Sequence, residues 1–163
     1  MKPKRNNFAY IDGANLHKGV SVFSWKFDYK KFRVWLREKY DVEQAYVFLG
    51  YVPEYKELYT RLQKYGYILI FKEVVYDREG KIKGNCDVDV AVNMMKDSFE
   101  KAFDNAILVS SDGDYASLVK YLMEKEKLEA ILSPHTVRKC SVLLRRTGAR
   151  IVFLEEKANA LRV

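Results

Sequence analysis

The stretch AILVSSDGDYASLVKYL, residues 106–122, contains the signals of a buried strand, a polar turn and a helix in direct succession. Asp112 and Asp114 lie at the turn, separated by a single glycine, and two explanations for them are open. Ser111 followed three residues later by Asp114 fits a capping box, and acidic groups suit the positive end of a helix. Paired carboxylates at the carboxyl end of a strand can instead hold a divalent metal ion.

The same alternation of short apolar runs and helical patterns continues along the chain. Strands are predicted at 8–11, 44–50, 67–76, 106–110, 128–133 and 150–154, with a short hairpin arm at 81–83. Helices are predicted at 28–40, 53–66, 86–102, 113–126 and 135–147. Strands and helices that alternate at this spacing predict an α/β domain with a mainly parallel central sheet.

Length and composition set the broad class of the protein. The 163 residues are expected to form one domain, 1–163, with its core at about 7–155. Two cysteines, Cys86 and Cys140, are too few for a disulfide framework and lack zinc-binding spacing. No apolar run approaches the ~20 residues that span a bilayer and no signal-peptide pattern opens the chain, so we expect a cytoplasmic protein with no membrane partner. The net charge of +7 favours a polyanionic partner such as nucleic acid.

Acidic residues occur at three places, two of which follow predicted strands, where ligands of such sheets usually bind. Asp12 follows the first predicted strand, Asp87 and Asp89 open a helix, and Asp112 and Asp114 follow the fourth strand. Each place alone is explained by the preference for acidic residues in the first turn of a helix. If the first and fourth strands are neighbours at the point where strand order reverses, however, the carboxylates converge on one crevice.

Converging carboxylates would repel one another unless cations neutralised them. A set of hard oxygen donors points to Mg²⁺ or Mn²⁺ rather than zinc. Two asparagines accompany the acidic residues. Asn15, three residues after Asp12, could orient a carboxylate, and Asn93 shares a helix face with Asp89, although an exposed polar residue explains Asn93 equally well.

Three segments together resemble the signature blocks of a known family. FAYIDGAN (8–15), KGNCDVDVAVN (83–93) and AILVSSDGDY (106–115) are similar to those of the NYN domain, specifically its LabA-like branch. That family belongs to the PIN-like superfamily of metal-dependent nucleases, and the resemblance extends over about the whole chain. It implies a three-layer α/β/α sandwich, an acidic site that binds Mg²⁺ or Mn²⁺, and hydrolysis of RNA.

The resemblance also assigns site positions by motif. The matching positions are Asp12 and Asn15 in the first block, Asp87 and Asp89 in the second, and Ser110, Asp112 and Asp114 in the third. Two positions depart from the family pattern. Ser111 stands where glycine is common, which retains a small residue, and Asn93 stands where aspartate is frequent, which removes a negative charge from the edge of the site.

We therefore hypothesise a ribonuclease that hydrolyses phosphodiester bonds by two-metal catalysis. Two divalent ions roughly 4 Å apart would lower the pKa of a water molecule and stabilise the leaving oxygen. The predicted metal ligands are Asp12, Asp87, Asp112 and Asp114, with Asn15 as a further catalytic residue and Ser110, Asp89 and Asn93 in supporting positions.

Cationic side chains are the candidate contacts to nucleic acid. On the predicted helix within 136–150, Arg138 and Arg145 form one row and Lys139 and Arg146 a second. Lys18 lies next to the first block. An ordinary solvated helix face explains the rows equally well, because Arg145 and Arg146 would interact favourably with the negative end of the helix dipole.

Two rival functions use the same residues. A non-catalytic RNA-binding or regulatory module could retain the metal-binding acidic pocket. A phosphotransfer domain is the second rival, but a phosphatase of that type needs an aspartate at the position of Ala14. The sequence leaves open whether RNA or DNA is cut, whether cleavage is internal, and whether the chain forms a homodimer. Neither His17 nor His135 receives a catalytic role, and His135 is expected to begin the helix after Pro134.

Overall fold

A computed structural model describes residues 2–163, and its main feature is a six-stranded parallel sheet. The strands are β1 (Asn7–Asp12), β2 (Val42–Gly50), β3 (Tyr67–Lys72), β4 (Val75–Tyr76), β5 (Ile82–Lys83), β6 (Ala106–Val109), β7 (Leu128–Ser133) and β8 (Ile151–Phe153). The order in the main sheet is β3-β2-β1-β6-β7-β8, while β4 and β5 form a separate antiparallel pair. Strand order therefore reverses between β1 and β6, which pair in parallel and so meet the condition for convergence of the acidic residues.

Seven α-helices connect and cover the strands within the described residues. They are α1 (Gly13–Val20), α2 (Tyr29–Tyr40), α3 (Lys56–Lys64), α4 (Asp87–Phe99), α5 (Ala116–Glu124), α6 (Val142–Arg145) and α7 (Ala158–Leu161). Short 3-10 turns at Pro53–Tyr55 and Gly113–Tyr115 lead into α3 and α5. No helix within residues 2–163 has both the length and the apolar composition required to cross a bilayer.

The sheet lies between two helical layers, because strand side chains alternate between its faces. Ala9 and Ile11 pack with residues of α1, α2 and α3, whereas Phe8 and Tyr10 pack with residues of α4 and α5. Every residue of β1 is buried, as expected for a central strand covered on both faces. The predicted three-layer α/β/α sandwich is confirmed.

The predicted strand 67–76 is wrong in its second half. The strand ends at Lys72, and Val75–Tyr76 pairs instead with Ile82–Lys83 in the separate hairpin. The carboxylate of Asp77 accepts hydrogen bonds from the backbone N–H groups of Glu79 and Lys81. These bonds stabilise the tight turn that joins Val75–Tyr76 to Ile82–Lys83, so the segment pairs with itself rather than with the main sheet.

The predicted helix 135–147 is also wrong, since only the four residues of α6 are helical. The Ser141 side chain caps α6 by accepting from the Leu143 N–H, so a new helix begins there. The Ser141 N–H itself donates to the carbonyl oxygen of Ser111, in the loop after β6. This long-range bond holds the chain before α6 against the carboxyl end of the sheet.

Candidate active site

Acidic residues from all three predicted places come together at the carboxyl ends of β1 and β6. Asp12 ends β1, Asp87 begins α4, and Asp112 and Asp114 follow β6. One carboxylate oxygen from each of Asp87, Asp112 and Asp114 lies within 4.8 Å of the others. We call these three residues, together with Asp12, the acidic cluster. Asp12 lies deeper than the other three and is only 6 % exposed.

The loop after β6 is shaped by its own side chains. The Ser110 hydroxyl accepts a hydrogen bond from the Asp112 N–H at 3.1 Å, and Asp112 Oδ1 accepts one from the Asp114 N–H at 2.9 Å. Asp112 is therefore the capping residue, and the predicted capping box from Ser111 is wrong. These bonds aim the side chains of Asp112 and Asp114 toward Asp87.

A glycine allows the chain to turn from β1 into α1 beside the neighbouring strand. A Cβ atom at Gly13 would lie 2.3 Å from Leu49 Cδ2 and 2.7 Å from the Phe48 carbonyl oxygen, which is closer than real Cβ contacts. Glycine therefore keeps Asp12 in register, and Asp12 Oδ1 caps α1 by accepting from the Asn15 N–H.

A buried tyrosine joins Asp12 to the rest of the acidic cluster. The Tyr115 hydroxyl lies 3.1 Å from Asp12 Oδ2 and 3.1 Å from Asp87 Oδ1, and the residue is 1 % exposed. Burial, followed by the charges of Asp12 and Asp87, raises the pKa of Tyr115, so the hydroxyl stays protonated and donates. Sequence reasoning missed this role, although the position directly after Asp114 was a signal.

Negative charge accumulates in the acidic cluster without a compensating cation. Burial, and then the negative charge of Asp112, raises the pKa of Asp87 to about 7. Burial also raises the pKa of Asp12, against the opposing effect of the Asn15 N–H. Among residues 2–163, no lysine or arginine forms an ion pair with a member of the cluster. An all-oxygen donor set with this charge fits a hard divalent cation.

This geometry agrees with the comparison to known proteins. The sequence profile of the NYN domain family matches residues 8–154, which include every member of the acidic cluster. The chain belongs to the NYN domain family. The family is part of the PIN-like nuclease superfamily, so the chain has a nuclease-like fold rather than that of a receiver or a phosphatase.

A solved structure supports the same fold for this NYN domain. A crystal structure of a protein of unknown function from Vibrio parahaemolyticus aligns with a TM-score of 0.77 and 21 % sequence identity. The alignment covers 99 % of this chain and 99 % of that one. At this identity the likeness shows the fold alone. No curated protein shows a significant match.

The side-chain oxygen of Asn15 in this NYN domain bonds to the loop after β6 rather than pointing into the acidic cluster. Asn15 Oδ1 accepts from the Ser111 N–H at 3.0 Å and lies 3.1 Å from the Ser111 hydroxyl. The Ser111 hydroxyl also lies 2.7 Å from His135 Nδ1. The expectation that His135 begins a helix is wrong, and sequence reasoning gave no hint of its contact with Ser111.

Two predicted supporting residues lie beside the acidic cluster, on α4. Asp89 forms an ion pair with Lys72, whose Nζ lies 3.4 Å from Asp89 Oδ2, but that buried oxygen has no hydrogen bond. Asn93 donates from Nδ2 to the Asp89 carbonyl oxygen within the helix. The amide of Asn93 is thus satisfied by its own helix.

The structure divides the predicted cationic residues into two groups. Because 135–147 is not one helix, Arg138 and Lys139 do not form rows with Arg145 and Arg146, and that prediction is wrong. Lys139 instead acts on His135, whose pKa is lowered first by burial and then by the charges of Lys139 and of Lys18 on α1. Both lysines are therefore within electrostatic reach of His135, which contacts Ser111.

The metal-free NYN domain is expected to lose stability as pH rises from about 4 to about 7. Folding raises the pKa of Asp87 from 3.8 to about 7, so the folded state holds a proton that the unfolded chain has already released. Replacing Asp112 by Asn removes the main charge that opposes Asp87 ionisation. Thermal melts in EDTA at about pH 8 should show a midpoint a few degrees higher for Asp112→Asn than for the wild type.

The control is Glu124→Gln, which neutralises an exposed carboxylate at the end of α5. Its midpoint should follow that of the wild type at every pH. A midpoint for Asp112→Asn that stays at the wild-type value at about pH 8 would mean that the carboxylates do not repel one another.

Proposed function

We propose that this NYN domain is a divalent-metal-dependent ribonuclease. The observation that carries the proposal is the convergence of Asp87, Asp112 and Asp114 with the deeper Asp12 at the switch point of the sheet. The cluster lacks an ion-pair partner among the described residues. Repulsion between its carboxylates, added to burial, raises the pKa of Asp87. A site that is unfavourable without a cation is well suited to bind one.

The residues of the site have two roles: the carboxylates would bind metal ions, and neighbouring side chains hold those carboxylates in position. Asp87, Asp112 and Asp114 would hold Mg²⁺ or Mn²⁺, with Asp12 as the inner ligand. The bound ions would lower the pKa of a water molecule and stabilise the negative charge of the leaving oxygen. Tyr115 holds Asp12 and Asp87 through its hydroxyl, and Ser110 fixes the loop that carries Asp112.

The one thiol beside the acidic cluster, Cys86, is a poor competing nucleophile. Cys86 precedes Asp87, but burial and then the charge of Asp12 raise the pKa of its thiol to about 11. The thiol therefore stays protonated at neutral pH and is a poor nucleophile. Hydrolysis by water is the reaction that the acidic cluster supports best.

Substrate binding would come from the cationic residues beside the cluster. The net charge of +7 favours a polyanion, and the exposed Lys18 and Lys139 both act electrostatically on His135, which contacts Ser111 next to Asp112. The proposed partner is RNA, with the scissile phosphate over the acidic cluster and a neighbouring phosphate between the two lysines.

The test is digestion of labelled single- and double-stranded RNA and DNA with Mg²⁺, Mn²⁺ or EDTA. We expect cleavage of RNA with either ion and none in EDTA. Cleavage that persists in EDTA would overturn the metal mechanism, and cleavage of DNA alone would overturn the substrate. RNA binding without cleavage under any condition would instead support a non-catalytic RNA-binding module.

A further inference from the structure

A chain of three polar side chains connects the first motif to a histidine that no motif contains. Asn15 Oδ1 contacts both the N–H and the hydroxyl of Ser111, at 3.0 and 3.1 Å. The same hydroxyl lies 2.7 Å from His135 Nδ1. The chain runs alongside the acidic cluster, since Ser111 directly precedes Asp112.

These contacts assign the proton on the histidine ring. Asn15 Oδ1 has no proton to give, so the contact at 3.1 Å is favourable only when the Ser111 hydroxyl donates to it. The hydroxyl oxygen then accepts from Nδ1–H of His135, which is the arrangement that places a proton in both contacts. Nε2 is left as an unprotonated acceptor, because burial and then the two nearby lysines lower the pKa of His135.

The position of His135 is fixed by packing as well as by hydrogen bonds. His135 follows Pro134 just after β7, and α1 packs so closely against Pro134 that a Cβ atom at Gly19 would clash with the Pro134 carbonyl oxygen. Within residues 2–163, His135 Nε2 makes no hydrogen bond, and it is not among the enclosed polar atoms that lack a partner. Nε2 is therefore available to a ligand.

The ligand that fits an acceptor within electrostatic reach of two lysines is a ribonucleotide. Lys18 and Lys139 attract a phosphate, but phosphate oxygens only accept at neutral pH and cannot bond to an unprotonated Nε2. Within a nucleic-acid strand, the sugar–phosphate backbone offers one internal donor, the ribose 2′-hydroxyl, and DNA lacks it.

We propose that Lys18, Lys139 and His135 form a ribonucleotide subsite in which His135 Nε2 accepts a hydrogen bond from the ribose 2′-hydroxyl. The subsite deepens the proposed ribonuclease function and rests on it for the orientation of the strand. It gives the chain a physical means of distinguishing RNA from DNA beside the acidic cluster.

The test compares the affinities for single-stranded RNA and for DNA of the same sequence, by fluorescence anisotropy in EDTA. We expect the wild type to favour RNA by roughly fivefold, the effect of about one net hydrogen bond. In His135→Asn the side-chain amide can still donate to Ser111, but no acceptor remains at the Nε2 position. Its RNA affinity should fall to the DNA value, with DNA affinity unchanged.

The control is His17→Asn, the same substitution on the exposed side of α1, which should retain the preference for RNA. A preference that survives in His135→Asn, or its absence in the wild type, would overturn the subsite while leaving metal-dependent cleavage standing. A His135-dependent preference in a protein that never cleaves RNA would overturn the nuclease function alone.

A second measurement is independent of nucleic acid. Long-range proton–nitrogen correlation spectra report which ring nitrogen is protonated, and the chain has only two histidines. In the His17→Asn variant, the only histidine ring signals that remain are those of His135. We expect the Nδ1–H tautomer for His135, and an Nε2–H tautomer in the free protein would overturn the proposal.

Discussion

Asp112→Asn should lower metal-dependent RNA cleavage by at least about 10²–10³-fold, the loss that follows removal of one electrostatic stabiliser of a transition state. The variant removes one of the three carboxylates that lie within 4.8 Å of one another. Asparagine retains Oδ1 as the acceptor for the Asp114 N–H, so the turn after β6 should persist. The measurement is kcat/KM on labelled RNA with Mn²⁺, beside circular dichroism of the same preparation.

The matched control is Asp104→Asn, at the opposite end of the segment that contains β6. Asp104 Oδ2 accepts from the Asn6 N–H, and asparagine can retain that bond as well. This variant should cleave at the wild-type rate. Asp112→Asn that folds normally and cleaves as fast as the wild type would remove the acidic cluster from the mechanism.

The same substitution is expected to raise the stability of the metal-free fold and to lower the rate of cleavage. Repulsion among Asp12, Asp87 and Asp112 destabilises the metal-free fold, and the same charges are what a divalent ion requires. Stability and function are therefore opposed at this site. A residue that served only as a helix cap would show no such opposition, because Asn caps as well as Asp.

The position of the acidic cluster could be predicted because each of its parts has a local signal. FAYI is followed by Asp12 and AILV leads to Asp112, and both are buried strands that stop at a polar turn. Parallel sheets bring such strand ends to one edge. The alternation of elements did not fix the sheet order, so convergence depended on the condition that the first and fourth strands are neighbours, which the pairing of β1 with β6 meets.

The residues that hold the site in shape could not be predicted, because their roles depend on contacts between distant segments. Ser141 bonds across to Ser111, and this contact interrupts a stretch whose composition favours a continuous helix. His135 also contacts Ser111, and the Tyr115 hydroxyl contacts Asp12 across the site; both contacts join residues far apart in the sequence. None of these contacts leaves a periodic pattern in the sequence, whereas strands, helices and caps do.

Tyr115→Phe should lower cleavage at neutral pH by about 10–100-fold, as expected when a residue that supports metal ligands is lost. Phenylalanine fills the same buried space, so the fold should be retained. The Tyr115 hydroxyl favours the charged forms of Asp12 and Asp87, and without it the pKa values of both carboxyls rise further. Metal binding must then displace protons that the wild type has lost, so the pH profile of kcat/KM should shift to higher pH and the deficit should shrink above about pH 8.

A matched substitution separates this effect from the loss of any buried hydrogen bond. Tyr10 is also buried, and its hydroxyl donates to Asp97 Oδ2 at 2.6 Å, toward the far end of α4. Tyr10→Phe should lower stability without moving the pH profile, because Asp97 lies outside the acidic cluster. An unshifted profile in Tyr115→Phe would mean that the hydroxyl only fills space, and equal shifts in both variants would mean that general destabilisation, rather than the carboxylates of the site, sets the profile.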